Sequence, residues 1–321
     1  MAETFFFDYL STYLKNFLPH AQKIAFFYEE GYFYLAQGLK QSNQSSLSIH
    51  THEMDIFNVN FELIDSYDFV IFFFDVADIY QKDKLSYYYR EIIPQFKSTI
   101  NKVMFLRDIG NAFSEIFACH PSVIAKQNKN LIQQGINASS IRITDNNGSN
   151  IIAEITHAKW TNLDGCNHRS TLLPSEISTF SPTLNGEIYF TGALQSQIPF
   201  GIKFGLITEA NQIKIKIVNS VVTDITSCCT ALDKALKDYV AYNKANSQVV
   251  ELGIGTNTGI ISLVGCGAPF EERYPGFHLG IGGSVKNSQH IDFIFDQSTI
   301  YFDQNVIFKN KTLYFNDHEA S

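Results

Sequence analysis

The chain has 321 residues, 45 % of them hydrophobic, and a formal net charge of −8 at pH 7. That length buries a sizeable core in one large domain or two ordinary ones, and the composition suits a soluble globular protein rather than a disordered or membrane one. The scattered lysines and arginines form no cluster interleaved with aromatics, which argues against a nucleic-acid surface.

The N-terminal stretch "MAETFFFDYLSTYLKNFLPH" carries early acids and interrupted apolar positions, unlike a signal peptide. Its apolar residues recur at helical spacing, and "KIAFFY" after it reads as a buried strand. "GYFYLAQGLKQS" reads as a helix. "YDFVIFFFDV" is a continuous apolar run of the kind found in a parallel sheet covered on both faces. That run is broken by Asp75 and is far too short to span a bilayer. "LSYYYREIIPQFKSTI" resumes the helical pattern, "KVMFLRDI" supplies a third strand, and "HPSVIAKQNKNLIQQGIN" is expected to be a helix ending at Gly135. Such alternation implies an α/β layer.

From about residue 138 the texture changes. "SSIRITDNNGSNIIAEITH" is two alternating runs joined by Asn-Gly, a hairpin signal. Further strand-like runs follow: "GEIYFTG", "FGLITEANQIKIKIVNSVVTDI", "SQVVELGIG", "PGFHLGIGGSV", "IDFIF", "STIYFD" and "NVIFKN", interrupted by one helical segment, "CTALDKALKDYVAYNKA". The expected fold is therefore α/β plus α+β: an N-terminal α/β layered domain over residues 1–125, and a larger β-rich domain over 126–321. Five cysteines (Cys119, Cys166, Cys228, Cys229, Cys266) form no C-x-x-C pair, their count is odd and two are adjacent. Reduced thiols in a cytoplasmic protein fit that better than a disulfide framework.

The chemistry concentrates late in the chain. On a strand, residues i and i+2 share a face, so His290 and Asp292 of "QHIDFIF" project together. His278 lies in the preceding strand, and "GGSVKNSQ" can fold the two into a hairpin. Two imidazoles and a carboxylate on rigid strands can bind zinc, manganese or ferrous iron; the same spacing also describes a polar pair on a solvated strand face. Glu251 follows the apolar "QVV", Glu176 stands between two prolines, and Glu271 and Glu272 precede "RYPGFH". A buried carboxylate is costly unless paired or metal-bound. No dinucleotide fingerprint, P-loop or G-x-S-x-G elbow is present.

Taken in order, these stretches resemble the aminopeptidase T family of metallopeptidases. "NLIQQGINASSIRITDNNGSNIIAEI", "NLDGCNHRSTLLPSEISTFSP", "GEIYFTGAL", "VVTDITSCCTALDKAL", "VVELGIGTNTGI", "FHLGIGGSV" and "QHIDFIF" carry the resemblance, which spans roughly residues 125 to 296. It implies metal ligands at Glu176, Glu251, Glu272, His278, His290 and Asp292, with Glu271 as the alternative to Glu272 because the spacing to His278 is one residue longer. It further implies a divalent metal (zinc, cobalt or manganese), Glu251 or Glu272 as general base, a peptide or small-molecule substrate and a homodimer, while the charge pattern and the short apolar run above lead to no expected nucleic-acid or membrane partner. Two features depart from the family. Val285 stands where its catalytic tyrosine is expected, and His290 follows His278 by only twelve positions. The 2,5-dihydroxypyridine dioxygenases, of the same superfamily, hold one ferrous iron through two histidines and an aspartate, a set matched by His278, His290 and Asp292. The leading expectation is a metal-dependent aminopeptidase-like hydrolase. The alternatives are a mononuclear iron dioxygenase and a non-catalytic peptide-binding accessory protein on the same scaffold.

Overall fold

A computed structural model describes residues 1–76, 84–96, 100–196, 198 and 200–315. Four parallel strands, β1 (Lys23–Tyr28), β2 (Ser48–Glu53), β3 (Phe69–Phe74) and β4 (Val103–Arg107), form one sheet in the order β2-β1-β3-β4. All six residues of β3 are buried, as a central strand covered on both faces requires. One face packs on the N-terminal helix Ala2–Phe17 through Phe6, Leu10, Phe26 and Phe73; the other packs Phe27, Phe72 and Phe74 against Tyr88 and Phe96.

Three details differ from the sequence reading. The sheet has a fourth strand, β2, whose "SIHTHE" lacks an apolar run; it lies at the sheet edge, where only Ile49 is buried. The segment from Lys84 to Gln95 is helical but passes through a π turn at Tyr88–Ile92, and residues 97–99 of the expected helix lie outside the described residues. The helix starting at Pro121 runs to Asn137, two residues past Gly135.

Fourteen further strands build a larger β-rich part. Eight of them, β5 (Ser140–Thr144), β6 (Asn150–Glu154), β9 (Asn185–Phe190), β11 (Ile213–Val218), β12 (Val221–Ser227), β16 (Thr299–Phe302), β17 (Asn305–Lys309) and β18 (Thr312–Leu313), form one antiparallel sheet. The other six, β7 (Thr161–Leu163), β8 (Glu176–Thr179), β10 (Gly192–Ser196), β13 (Val249–Gly255), β14 (Gly276–Ile281) and β15 (Ile291–Phe295), form a second in the order β10-β15-β14-β13-β8-β7. The two sheets share a core in which Ile141, Ile188 and Ile215 of the first meet Leu252, Leu279 and Phe293 of the second. Each such buried side chain contributes about 1.5–3 kcal/mol. Ala193 and Ile294, on the opposite face of the six-stranded sheet, join the core that also holds the N-terminal helix. That sheet is thus covered on both sides, and Glu176, His278 and Asp292 on it are buried, whereas Glu251 is partly exposed. Among the described residues, no helix is long and apolar enough to cross a membrane.

Candidate metal centre

The alternation of β13, "VVELGIG", sends Leu252 and Ile254 into the core between the sheets and turns Glu251, Gly253 and Gly255 to the other face. Cross-strand pairing then builds rows on that face. Gln195, Asp292, Gly280 and Glu251 follow one another across β10, β15, β14 and β13; Ile294, His278, Gly253 and Ser178 form the next row; Gly255 pairs with Glu176 in a third. Charged or imidazole side chains therefore alternate with glycines. A Cβ at Gly253 would overlap the His278 ring, and one at Gly280 would meet both His290 and Glu251. The glycines are the space into which the ligands fold.

Two groups of ligand atoms result. Glu176, Glu251 and His278 each bring one to within 4.8 Å of the others, and so do Glu251, His290 and Asp292. Glu251 belongs to both. His290 Nε2 lies 2.8 Å from Asp292 Oδ1 and 3.5 Å from Glu251 Oε2, while its Nδ1 lies 3.2 Å from the Gly282 carbonyl. A carbonyl at Nδ1 holds the proton there, which leaves Nε2 as the ligating atom when the ring is neutral. His278 Nε2 is 3.4 Å from Glu176 Oε1. Neither ring nitrogen of the buried His278, nor Asp292 Oδ2, has a hydrogen-bond partner. Buried polar atoms without partners are uncommon, and together with the donor set of carboxylates and imidazoles they fit a divalent cation.

The two groups differ in access. The Glu251 and His290 side chains are 25 % and 26 % exposed, whereas those of Glu176 and His278 are 2 % and 1 % exposed. Burial raises the Glu251 carboxyl, but the hydrogen bond from His290 and the charges of His278 and His290 outweigh it and hold the acid at about 2. Burial lowers His290, yet Asp292 and Glu251 overcome that and raise it to about 12. His278 is lowered, chiefly by burial. Glu272 is pushed well above the carboxylate range by burial and by the charges of Asp292 and Glu251.

Spacing alone left Glu271 and Glu272 as alternatives, and their surroundings separate them. Glu271, fully buried, accepts hydrogen bonds from the backbone N–H groups of Val264, Gly265, Gly267 and Ala268, so it clasps its own loop. Glu272, expected as a ligand, is in neither group of ligand atoms; it lies within the field of Asp292, Glu251 and His290. Val285 is half exposed on the turn between β14 and β15.

Sequence reading missed Arg273. Its side chain, 5 % exposed, forms an ion pair with Glu176 and lies 3.4 Å from Glu272 Oε2. The only signal was its position, immediately after the acidic pair. A polar layer beneath Glu176 was also missed. Ser175, held at a φ of 98°, pairs its hydroxyl with Thr256 at 2.7 Å; Thr256 donates to Asn128, and Asn128 donates to the Glu176 carbonyl and to Asn162. A non-glycine residue at such a φ is strained, and this network fixes the strand entry that aims Glu176. On the other side, the Tyr239 hydroxyl donates to the Gln289 carbonyl at 2.6 Å and braces the chain before His290.

The sequence profile of a family described as "Crocagin biosynthetic protein CgnE/B" matches residues 203–303. Among solved structures, the chain is similar to 2,5-dihydroxypyridine dioxygenase from Pseudomonas putida KT2440, at 13 % identity over 98 % of this chain and 97 % of that one, with a TM-score of 0.62. It is similar in the same degree to wild-type AmpT from Thermus thermophilus, an aminopeptidase, at 10 % identity over 97 % and 98 % of the two chains, with a TM-score of 0.61. No curated protein matches. At these identities the likeness is one of fold, and it extends over almost the whole chain.

A cavity of about 1240 Å³ lies apart from the ligand groups, at the carboxyl ends of β1, β3 and β4, lined among others by Glu29, Tyr32, Asp75, Asp108 and Phe270. None of the six candidate ligands lines it.

Proposed function

We propose that the chain is a metal-dependent aminopeptidase-like hydrolase whose reactive centre is the Glu251–His290–Asp292 group. The observation that carries this reading is the sharing of Glu251. Both ligand groups are organised about a glutamate, as carboxylate-rich hydrolytic sites are. His278, by contrast, groups with Glu176 and Glu251 rather than with His290 and Asp292, so the two-histidine, one-aspartate set of an oxygen-activating iron site is divided.

Glu251, His290 and Asp292 would hold a divalent ion, which would supply Lewis acidity and activate water for attack. The protein's own groups supply the rest. Glu251 and His290 are the partly exposed members, so the open side of the group faces the approach of water and substrate. The Gly282 carbonyl, 3.2 Å from Nδ1, orients the His290 imidazole and leaves Nε2 free to ligate beside Asp292. Glu272, beside Asp292, takes and returns the proton that hydrolysis moves. The bond cleaved would be the N-terminal peptide or amide bond of a short substrate.

Aminoacyl chromogenic amides, assayed after loading with zinc, cobalt or manganese, test this directly. Turnover should appear with metal, vanish with chelator, and be lost in Glu251→Gln with the fold intact. An iron-dioxygenase reading remains the second candidate, because the dioxygenase relative is as similar in fold as the aminopeptidase. Oxygen uptake on hydroxypyridine substrates after anaerobic ferrous loading, without amidase turnover under any metal, would reverse the order of the two.

A further inference from the structure

We propose that Arg273 takes the place of a metal ion in the inner half of this site, so that the chain holds one divalent cation, at Glu251–His290–Asp292, rather than two. The identity of the outer cation rests on the hydrolase reading above; the role of Arg273 rests on the geometry of the inner group.

The two ligand groups are alike in composition, each with Glu251, a histidine and a further carboxylate. Taken by their donors alone, they would hold a pair of ions bridged by Glu251. They are unlike in what already balances their charge. In the inner group, the Arg273 guanidinium is paired with Glu176 and reaches toward Glu272. It is enclosed with Glu176 and His278, all three side chains being at most 5 % exposed. A metal on Glu176 would sit about 2.0–2.2 Å from the carboxylate oxygen, beside a guanidinium that contacts that carboxylate. Two cations would then share one acid with little water to screen them. Lysine could escape by losing its proton, but arginine stays charged.

The position of Arg273 is also built rather than incidental. It ends the 3-10 turn Pro269–Arg273, whose start is clasped by the Glu271 carboxylate, and its own carbonyl accepts from the Asn257 N–H at 3.0 Å. These contacts fix the backbone from which the Arg273 side chain extends toward Glu176. His278 keeps both ring nitrogens without hydrogen-bond partners. The inner donors thus retain capacity for an ion once the guanidinium is gone. In the outer group the ion pairs are between His290 and the carboxylates of Glu251 and Asp292; among the described residues none joins a guanidinium to these ligands, although the charge of Asp292 acts on Arg273.

The test is a count of zinc per chain, by elemental analysis after equilibration with zinc and removal of the free ion, for wild type and Arg273→Gln. The expected counts are one and two. Arg273→Gln leaves Glu176 buried without a counter-charge, so it is purified in zinc and checked by circular dichroism; where it does not fold, the wild-type count decides alone, one supporting the proposal and two overturning it. One zinc in both wild type and folded Arg273→Gln overturns the role of Arg273 and leaves the hydrolase reading standing. None in wild type but one in Arg273→Gln supports the role of Arg273 and sinks the hydrolase reading. None in either overturns both.

Discussion

Gly280→Ala adds one methyl group at the point where the outer ligands converge. Gly280 pairs with Glu251 on one side and with Asp292 on the other. A Cβ there would lie 2.6 Å from His290 Cε1, 2.9 Å from His290 Nε2 and 2.8 Å from Glu251 Cβ. Carbon atoms rest about 3.5–4.0 Å apart, so the two ligands must separate by roughly 1 Å to admit it. Sites of this kind tolerate displacements of about 0.5 Å. Overpacking should cost about 1–3 kcal/mol of stability, partly offset by about 0.4–1 kcal/mol from the stiffer unfolded chain. Zinc affinity should fall at least tenfold, a loss of about 1.4 kcal/mol in binding. The assay is calorimetric zinc titration, paired with urea unfolding in chelator. Gly38→Ala is the control: Gly38 lies within the helix Phe33–Ser42 and nothing stands within 4 Å of a Cβ there. It should gain about 0.5–1 kcal/mol and leave zinc binding untouched. If Gly280→Ala bound zinc as tightly as wild type, the Glu251–His290–Asp292 centre would be the wrong place.

Three further outcomes follow from the same geometry. Glu271→Ala removes the acceptor of four backbone N–H groups and should lower stability by about 3 kcal/mol or more, which thermal unfolding in chelator measures. Asn128→Ala strips partners from Thr256, Asn162 and the Glu176 carbonyl, and should cost about 2–3 kcal/mol in urea unfolding. Zinc affinity should rise by about one log unit per pH unit between roughly pH 6 and 9. Without metal, Asp292 and Glu251 keep His290 protonated to about 12 against the effect of burial, so ligation must displace that proton, whereas Glu251, at about 2, is already ionised. Titration in buffers of different ionisation enthalpy measures the proton released, and a value of zero would remove His290 from the ligand set.

Much of the frame was legible because it follows from short-range pattern. "ELGIG" alternates an acid and glycines with Leu252 and Ile254, and that alternation is what points Glu251 away from the core. His290 and Asp292 are two residues apart on one strand face and meet at 2.8 Å. Other features depend on long-range register, which a single sequence does not display. Nothing in "PSEIST" announces that β8 lies beside β13 and sets Glu176 opposite Gly255. Glu271 and Glu272 are adjacent and chemically identical, and only the loop that wraps the first distinguishes them. Arg273 drew no notice, because an ion pair across two elements leaves no periodic trace in the sequence. β2 was missed for a related reason: an edge strand needs few apolar residues, so its sequence carries little signal.

The most direct measurement is anomalous diffraction at the zinc edge from crystals of the zinc-equilibrated protein. One anomalous peak is expected per chain, within about 2.0–2.2 Å of Glu251, His290 Nε2 and Asp292, with Arg273 still paired to Glu176. No peak at that position, or a peak bound only by residues outside this group, would contradict the account.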